Sequence, residues 1–193
     1  MKVYYHLSLE GFTNCYLVVN DDPNVMEALI IDPCTINEQL INQIEGGGYK
    51  LTTILVTHNH GNHIRSLSTL SKIYSPAIYA SDYEITGSKA CVILGDGHLN
   101  VAGFDVEYFS VPGHTADSMV FKIGCILFTG DVIACGIIGE TSGKYFKLVL
   151  AGNIEKKIFS QTDDTVIMPG HGPPSTVGAE KLFNLDIEKK HFA

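Results

Sequence analysis

Eight histidines occur in 193 residues, and five of them stand at strand ends or in Gly/Pro-rich loops. His58, His60 and His63 lie together, His114 sits in Val111-Pro112-Gly113-His114-Thr115, and His171 in Met168-Pro169-Gly170-His171-Gly172-Pro173. Loops at the ends of a rigid sheet are where binding groups are usually mounted, and neutral imidazole is a ligand for zinc, iron or manganese. One histidine alone carries no geometric information and is more often a hydrogen-bonded structural residue. Five in such loops, with Asp131 after the strand end Phe128-Thr129-Gly130, point to a metal site. In a strand-to-loop segment His58 and His60, two residues apart, can point to the same side and reach one ion. His63 then lands at a helix start and can face a neighbouring position. Glycines beside His114, Asp131 and His171 permit tight turns that bring the backbone close to such a pocket.

The elements that must position these side chains are legible as alternating β-rich runs and apolar helical stripes. Residues 3–9, 15–19 and 28–31 predict an opening meander. Thr35-Ile36-Asn37-Glu38 reads as a capping box, and the stripe Ile36, Leu40, Ile41, Ile44 before Gly46-Gly47-Gly48 predicts a helix over about 35–46. Leu51 to Val56 is a buried strand that runs into Thr57-His58-Asn59-His60, followed by a helix through Ile64, Leu67 and Leu70 to about Ser71. A short strand at 77–80, a short helix over Asp82 to Ser88, a hairpin turning at Ala102-Gly103 and a second around Gly124 come next. Two helices, 144–150 and 154–159, a last strand at 165–168 and a surface helix over 175–184 packed through Val177, Leu182 and Phe183 complete the reading. Ala134 to Gly143, with three glycines and no periodicity, is expected to form a loop over the pocket that selects substrate. Lys144 and Tyr145 could meet a substrate there, although such residues at a helix start are more often simply on the surface. Meanders with covering helices imply an α/β sandwich.

No linker, repeat or low-complexity stretch divides the chain, so one domain over 1–193 is expected, and 45% apolar content is ordinary for a globular core. The net charge of −8 would repel polyanions, which argues against nucleic acid and anionic membranes as partners. No stretch approaches about 18 uncharged apolar residues and Glu10 arrives before a signal-peptide core, so a cytoplasmic protein is expected. Five cysteines form no CxxC pair and are odd in number, which makes reduced thiols the default. Cys15, Cys91 and Cys125 lie in apolar runs and are expected to pack in the core. His6 and His98 fall outside the pattern, His98 as a solvated loop residue, and His191 lies in a tail.

The chain resembles the metallo-β-lactamase superfamily, whose pattern reads His-x-His-x-Asp-His, then a distant His, an Asp and a His. The match includes the Ile31-Asp32-Pro33 turn, Thr129-Gly130-Asp131 and the Pro169-Gly170-His171-Gly172-Pro173 loop, and it is closest to the compact glyoxalase II-like hydrolases that lack a C-terminal glutathione-binding helical domain. The resemblance implies an αββα sandwich of two mixed sheets flanked by helices. It implies that His58, His60 and His114 hold a first metal, that Asp131 bridges, and that His63 and His171 hold a second. One or two zinc ions, with iron or manganese as alternatives, would activate water to attack a thioester, ester or related small acyl substrate. Asp32 would accept an imidazole N–H, or serve only as a turn residue before Pro33.

Asn62 breaks this pattern where the family has an Asp that acts as second-metal ligand and proton acceptor. With one negative charge fewer, a mononuclear site, a weakened dinuclear site and a catalytically silent metal- or ligand-binding fold all stay open. An iron-dependent persulfide dioxygenase is the other enzymatic reading. β-Lactam hydrolysis is disfavoured by the absent secretion signal. Cys34, where the family has Gly, could ligate or be oxidised, or could simply pack in its turn. The oligomeric state is left open.

Overall fold

The computed structural model describes residues 1–85 and 90–187. One six-stranded sheet is ordered β1-β2-β3-β4-β5-β6, formed by Lys2–Ser8, Thr13–Asn20, Glu27–Ile31, Lys50–Leu55, Ala77–Ala80 and Ala90–Val92. Its first three strands are antiparallel and its last three run parallel to β3. The other six-stranded sheet is ordered β14-β13-β10-β9-β8-β7, from Ser175–Thr176, Val166–Pro169, Ile126–Gly130, Met119–Ile123, Phe104–Ser110 and Gly97–Val101. It is antiparallel except where β10 meets β13. A two-stranded ribbon, β11 (Ile133–Ala134) with β12 (Ile137–Ile138), follows Asp131.

Strand periodicity explains the layers. In β2, Tyr16 and Val18 face the other sheet and join Val106, Met119, Phe121 and Phe128 in the core between sheets. Cys15, Leu17 and Val19 face the opposite way, onto Leu40 and Ile44 of α1 (Glu38–Glu45) and Leu67 and Leu70 of α3 (Leu67–Tyr74). A third cluster puts Val120, Leu127 and Ile167 of the second sheet against Leu150 of α4 (Lys144–Asn153), Ile154, Ile158 and Val177 of α5 (Val177–Phe183). Two mixed sheets face to face with helices outside give the αββα sandwich expected from the sequence. Among the described residues no helix is long and apolar enough to cross a membrane.

Several local expectations are corrected. The first helix starts at Glu38 and is capped by Asn37, whose side chain accepts from Leu40 N at 2.8 Å, so Thr35 is not the cap. The segment after His60 is two helices, α2 (Gly61–Ile64) and α3, and not one. Only Tyr83–Ile85 of the expected 82–88 helix is described as a 3-10 turn, and 86–89, like His191, lies outside the described residues. α4 continues without a break into a π-helical turn over Ile154–Ile158, and β14 follows the expected last strand. α5 packs through Val177 and Glu180 while Leu182 and Phe183 are exposed, because its buried face is the one turned to β13 and β14. Cys91 and Cys125 are exposed, the first on an edge strand and the second in the β9–β10 turn, where an apolar run does not guarantee burial. Residues 134–143 are partly ordered as the β11–β12 ribbon, and His98 lies on β7.

Candidate metal centre

Parallel pairing brings the candidate ligands to one edge of the sandwich. β3 and β4 end side by side, so Asp32 emerges next to Thr57-His58, and Asp32 N donates to Leu55 O at 3.0 Å. β10 and β13 do the same for Asp131 and His171, with Gly170 N donating to Gly130 O at 2.7 Å. His60 precedes α2 and His63 lies within it, while His114 hangs in the β8–β9 loop. Two glycines are required by crowding: a methyl at Gly130 (φ +49°) would overlap Thr57 Oγ1, and one at Gly170 would overlap Asp131 Oδ1 and His63 Cε1.

All six predicted ligands come together in two groups that share Asp131. His58, His60, His114 and Asp131 form one group and His63, Asp131 and His171 the other, with the ligand atoms of each group within 4.8 Å of one another. Second partners fix the ring tautomers. Thr57 Oγ1 donates to Asp32 Oδ2 at 2.7 Å, so at 3.0 Å it accepts from His58 Nδ1, and His58 Nε2 keeps a bare lone pair. His114 Nδ1 donates to Glu140 O at 2.7 Å, leaving its Nε2 bare too. Both bare nitrogens point at His60 Nδ1, at 2.8 and 3.2 Å. A single N–H cannot satisfy two lone pairs fully; a cation among the three rings satisfies all of them.

The second group has the same signature. His63 Nδ1 donates to Asp32 Oδ2 at 2.9 Å, so its Nε2 faces Asp131 Oδ1 at 3.3 Å, and both atoms are buried without a hydrogen-bond partner. Two buried acceptors facing each other are costly unless a proton or a metal ion lies between them. The donor set therefore fits a divalent ion. His171 Nδ1 donates to Phe12 O at 3.0 Å, and its Nε2 lies 3.5 Å from Asp131 Oδ2.

The electrostatics differ between the two groups. Burial pushes His58 down to about 2, helped by the His63 ring, and burial also lowers His60. Burial works against a charged His63, yet Asp32 and Asp131 on either side overcome it and raise it to about 10. Asp131 is held well below the carboxylate range because the neighbouring His171 and His63 rings outweigh its burial, and Asp131 in turn raises His171.

Asn62 stands beside the second group, its Nδ2 donating to Thr13 Oγ1 at 3.0 Å and facing His171 Nε2 at 3.3 Å. Cys34 is buried, belongs to neither group and directs its Sγ to Thr13 O at 3.2 Å. Three supporting residues were not singled out from the sequence. Thr57 links Asp32 to His58, Asn14 Nδ2 donates to Pro169 O and Gly172 O at 2.9 and 2.8 Å around His171, and Asp117 accepts from Asn59 N at 2.7 Å. The one sequence signal that could have found Thr57 is its place directly after the apolar run Leu51 to Val56 and before His58.

A sequence-family model of the metallo-beta-lactamase superfamily matches residues 9–90. The hydroxyacylglutathione hydrolase GloC of Haemophilus influenzae is 31% identical, over 92% of this chain and 93% of its own. The chain belongs to the metallo-β-lactamase superfamily. Another relative, the probable polyketide biosynthesis zinc-dependent hydrolase BaeB of Bacillus velezensis, is 31% identical over 70% of this chain and 62% of its own. Among solved structures, the BLEG-1 B3 metallo-beta-lactamase superposes with a TM-score of 0.82 at 26% identity, covering 95% of this chain and 98% of that one. This member of the superfamily thus pairs that fold with a His/Asp cluster suited to divalent metal.

Proposed function

We propose that this protein is a cytoplasmic metallohydrolase of a small thioester, ester or related acyl substrate, working in the manner of hydroxyacylglutathione hydrolases. The observation that carries the reading is the convergence of bare imidazole nitrogens, from both sheets, on Asp131. His58, His60, His114 and Asp131 would hold one ion; His63, Asp131 and His171 would hold the other. Bound divalent metal supplies hydroxide at neutral pH and polarises the acyl carbonyl. The chain's own residues fix the geometry. Asp32 holds His63 with Nε2 outward, Thr57 does the same for His58, and Glu140 O for His114. Zinc is the preferred ion, supported by the name of the Bacillus velezensis relative.

Metal analysis of protein purified without chelator, paired with a thioester assay across zinc, iron and manganese, tests this. Bound metal and turnover that both vanish in His58→Ala and His114→Ala are expected. Metal binding with no turnover of any thioester or ester, or oxygen uptake with a persulfide in its place, would overturn hydrolysis.

A further inference from the structure

Beside His114 the structure has a groove of about 470 Å³, lined by Pro112, Ser142, Tyr145, Phe146 and Val149 together with the His114 ring itself. Among the described lining residues, His114 also belongs to a candidate metal group, so the groove borders that group. Its floor is preformed: Asn153 Nδ2 donates to Pro112 O at 2.9 Å, Gly113 N donates to Thr115 O at 3.0 Å, and Gly113 lies against Leu150. Tyr145 and Phe146 stand edge to face at 5.5 Å and are 71% and 46% exposed. No charged side chain is among the described lining residues.

We infer that this groove receives the apolar tail of the substrate's acyl group, aromatic or medium-chain alkyl, with Phe146 and Tyr145 as specificity-determining residues. The inference rests on the hydrolase reading above and narrows its substrate class. An acyl carbonyl placed at the His58, His60, His114 and Asp131 group has the groove next to it for its tail, because His114 borders both. A carboxylate or phosphate in the tail would find no cation there, in a chain already carrying a net charge of −8. A short hydroxyacyl group would leave the groove wet and the two aromatic rings uncovered. A rigid apolar cleft also costs little ordering on binding, so buried tail area converts directly to affinity.

The test uses one thiol, N-acetylcysteamine, carrying acetyl, butanoyl, hexanoyl and phenylacetyl groups, together with direct binding of uncharged 2-naphthylacetamide read by its own fluorescence. The expected result is kcat/KM rising roughly fourfold per added methylene until the groove fills. Phe146→Ala should flatten that series. Phe146→Arg should weaken naphthylacetamide binding at least about tenfold. Leu148→Ala, on the same helix but outside the groove, should change neither. Turnover with a flat series and no Phe146-dependent binding overturns the groove and leaves the hydrolase reading standing. Saturable Phe146-dependent binding without turnover of any thioester overturns the hydrolase reading and, with it, the acyl assignment, while the apolar site survives. A preference that follows the thiol rather than the acyl group, or naphthylacetamide binding that appears only with self-association of the chain, also overturns the acyl assignment.

Discussion

Asn62 is the neutral residue that stands beside the His63, Asp131 and His171 group. Because His171 Nδ1 donates to Phe12 O, the Nε2 lone pair is free, and the Asn62 amide N–H is the group facing it at 3.3 Å. An amide in that place quenches a lone pair that a metal ion would otherwise use, and it brings no charge to offset a second dication. After dialysis against weak chelator, wild-type protein is expected to retain close to one ion per chain and Asn62→Asp close to two, read by elemental analysis; equal retention by both proteins would remove Asn62 from the account. Asp32 acts by positioning. Its Oδ2 fixes His63, so Asp32→Asn should loosen metal at the His63 position by about ten- to a hundredfold, measured by competition with a chromogenic chelator. The six candidate ligands were legible because His58, His60 and His63 cluster after an apolar strand, and His114, Asp131 and His171 each follow a glycine. Thr57, Asn14 and Asp117 were not, because their value lies in which atom they face, and that depends on strands brought together from distant parts of the sequence.

At the scale of elements, α5 holds the ribbon next to Asp131 through one buried carboxylate. Glu180 accepts from Gly136 N at 3.0 Å, from Asn184 Nδ2 at 2.7 Å and from the Ser175 hydroxyl. Glu180→Ala leaves those donors buried and unpaired and should cost roughly 2–4 kcal/mol in urea unfolding, with Glu180→Gln costing less because one carbonyl oxygen remains. Leu182→Ser and Phe183→Ser, by contrast, should stay within about 0.5 kcal/mol because both side chains face solvent. Large apolar residues point the other way on this helix, whereas three hydrogen bonds make a carboxylate the anchor. Hairpins were easier to read. Ala102 and Gly103 both adopt positive φ, +51° and +69°, the backbone a two-residue β-turn needs, and the flanking runs alternate as strands do. Helix ends were harder, since capping by Asn37 and the unbroken passage of α4 into a π-helical turn turn on hydrogen bonds that periodicity does not encode.

Across the whole molecule, the candidate centre is a cross-link between the two sheets. His58, His60 and His63 follow β4, whereas His114, Asp131 and His171 follow β8, β10 and β13. Metal bound there ties both halves of the sandwich, and because the unfolded chain holds no such cluster, binding free energy adds to folding stability. At a free metal concentration about a hundred times Kd the gain is roughly 2.7 kcal/mol. For a chain of this length that corresponds to a rise in Tm of about 5 to 10 °C. The gain depends on pH with a definite sign. In the metal-free fold, His63 is raised to about 10, so its stabilising contribution is complete below its ordinary 6.5 and fades as pH climbs toward 10. His58 is lowered to about 2, so its contribution is complete above 6.5 and is lost as pH falls toward 2. Between pH 5.5 and 8 these two act in opposite directions on the metal-free chain. Metal binding has no such balance, since His63 must surrender its proton to ligate, and each proton displaced weakens binding about tenfold per unit of acidification. Calorimetry of metal-loaded and chelator-stripped protein should therefore show a Tm difference that is largest near pH 8 and nearly gone at pH 5.5. A difference that stays constant over that range would mean that His63 is not a ligand and that the metal sits in the His58, His60, His114 and Asp131 group alone, where His58 has no proton to lose.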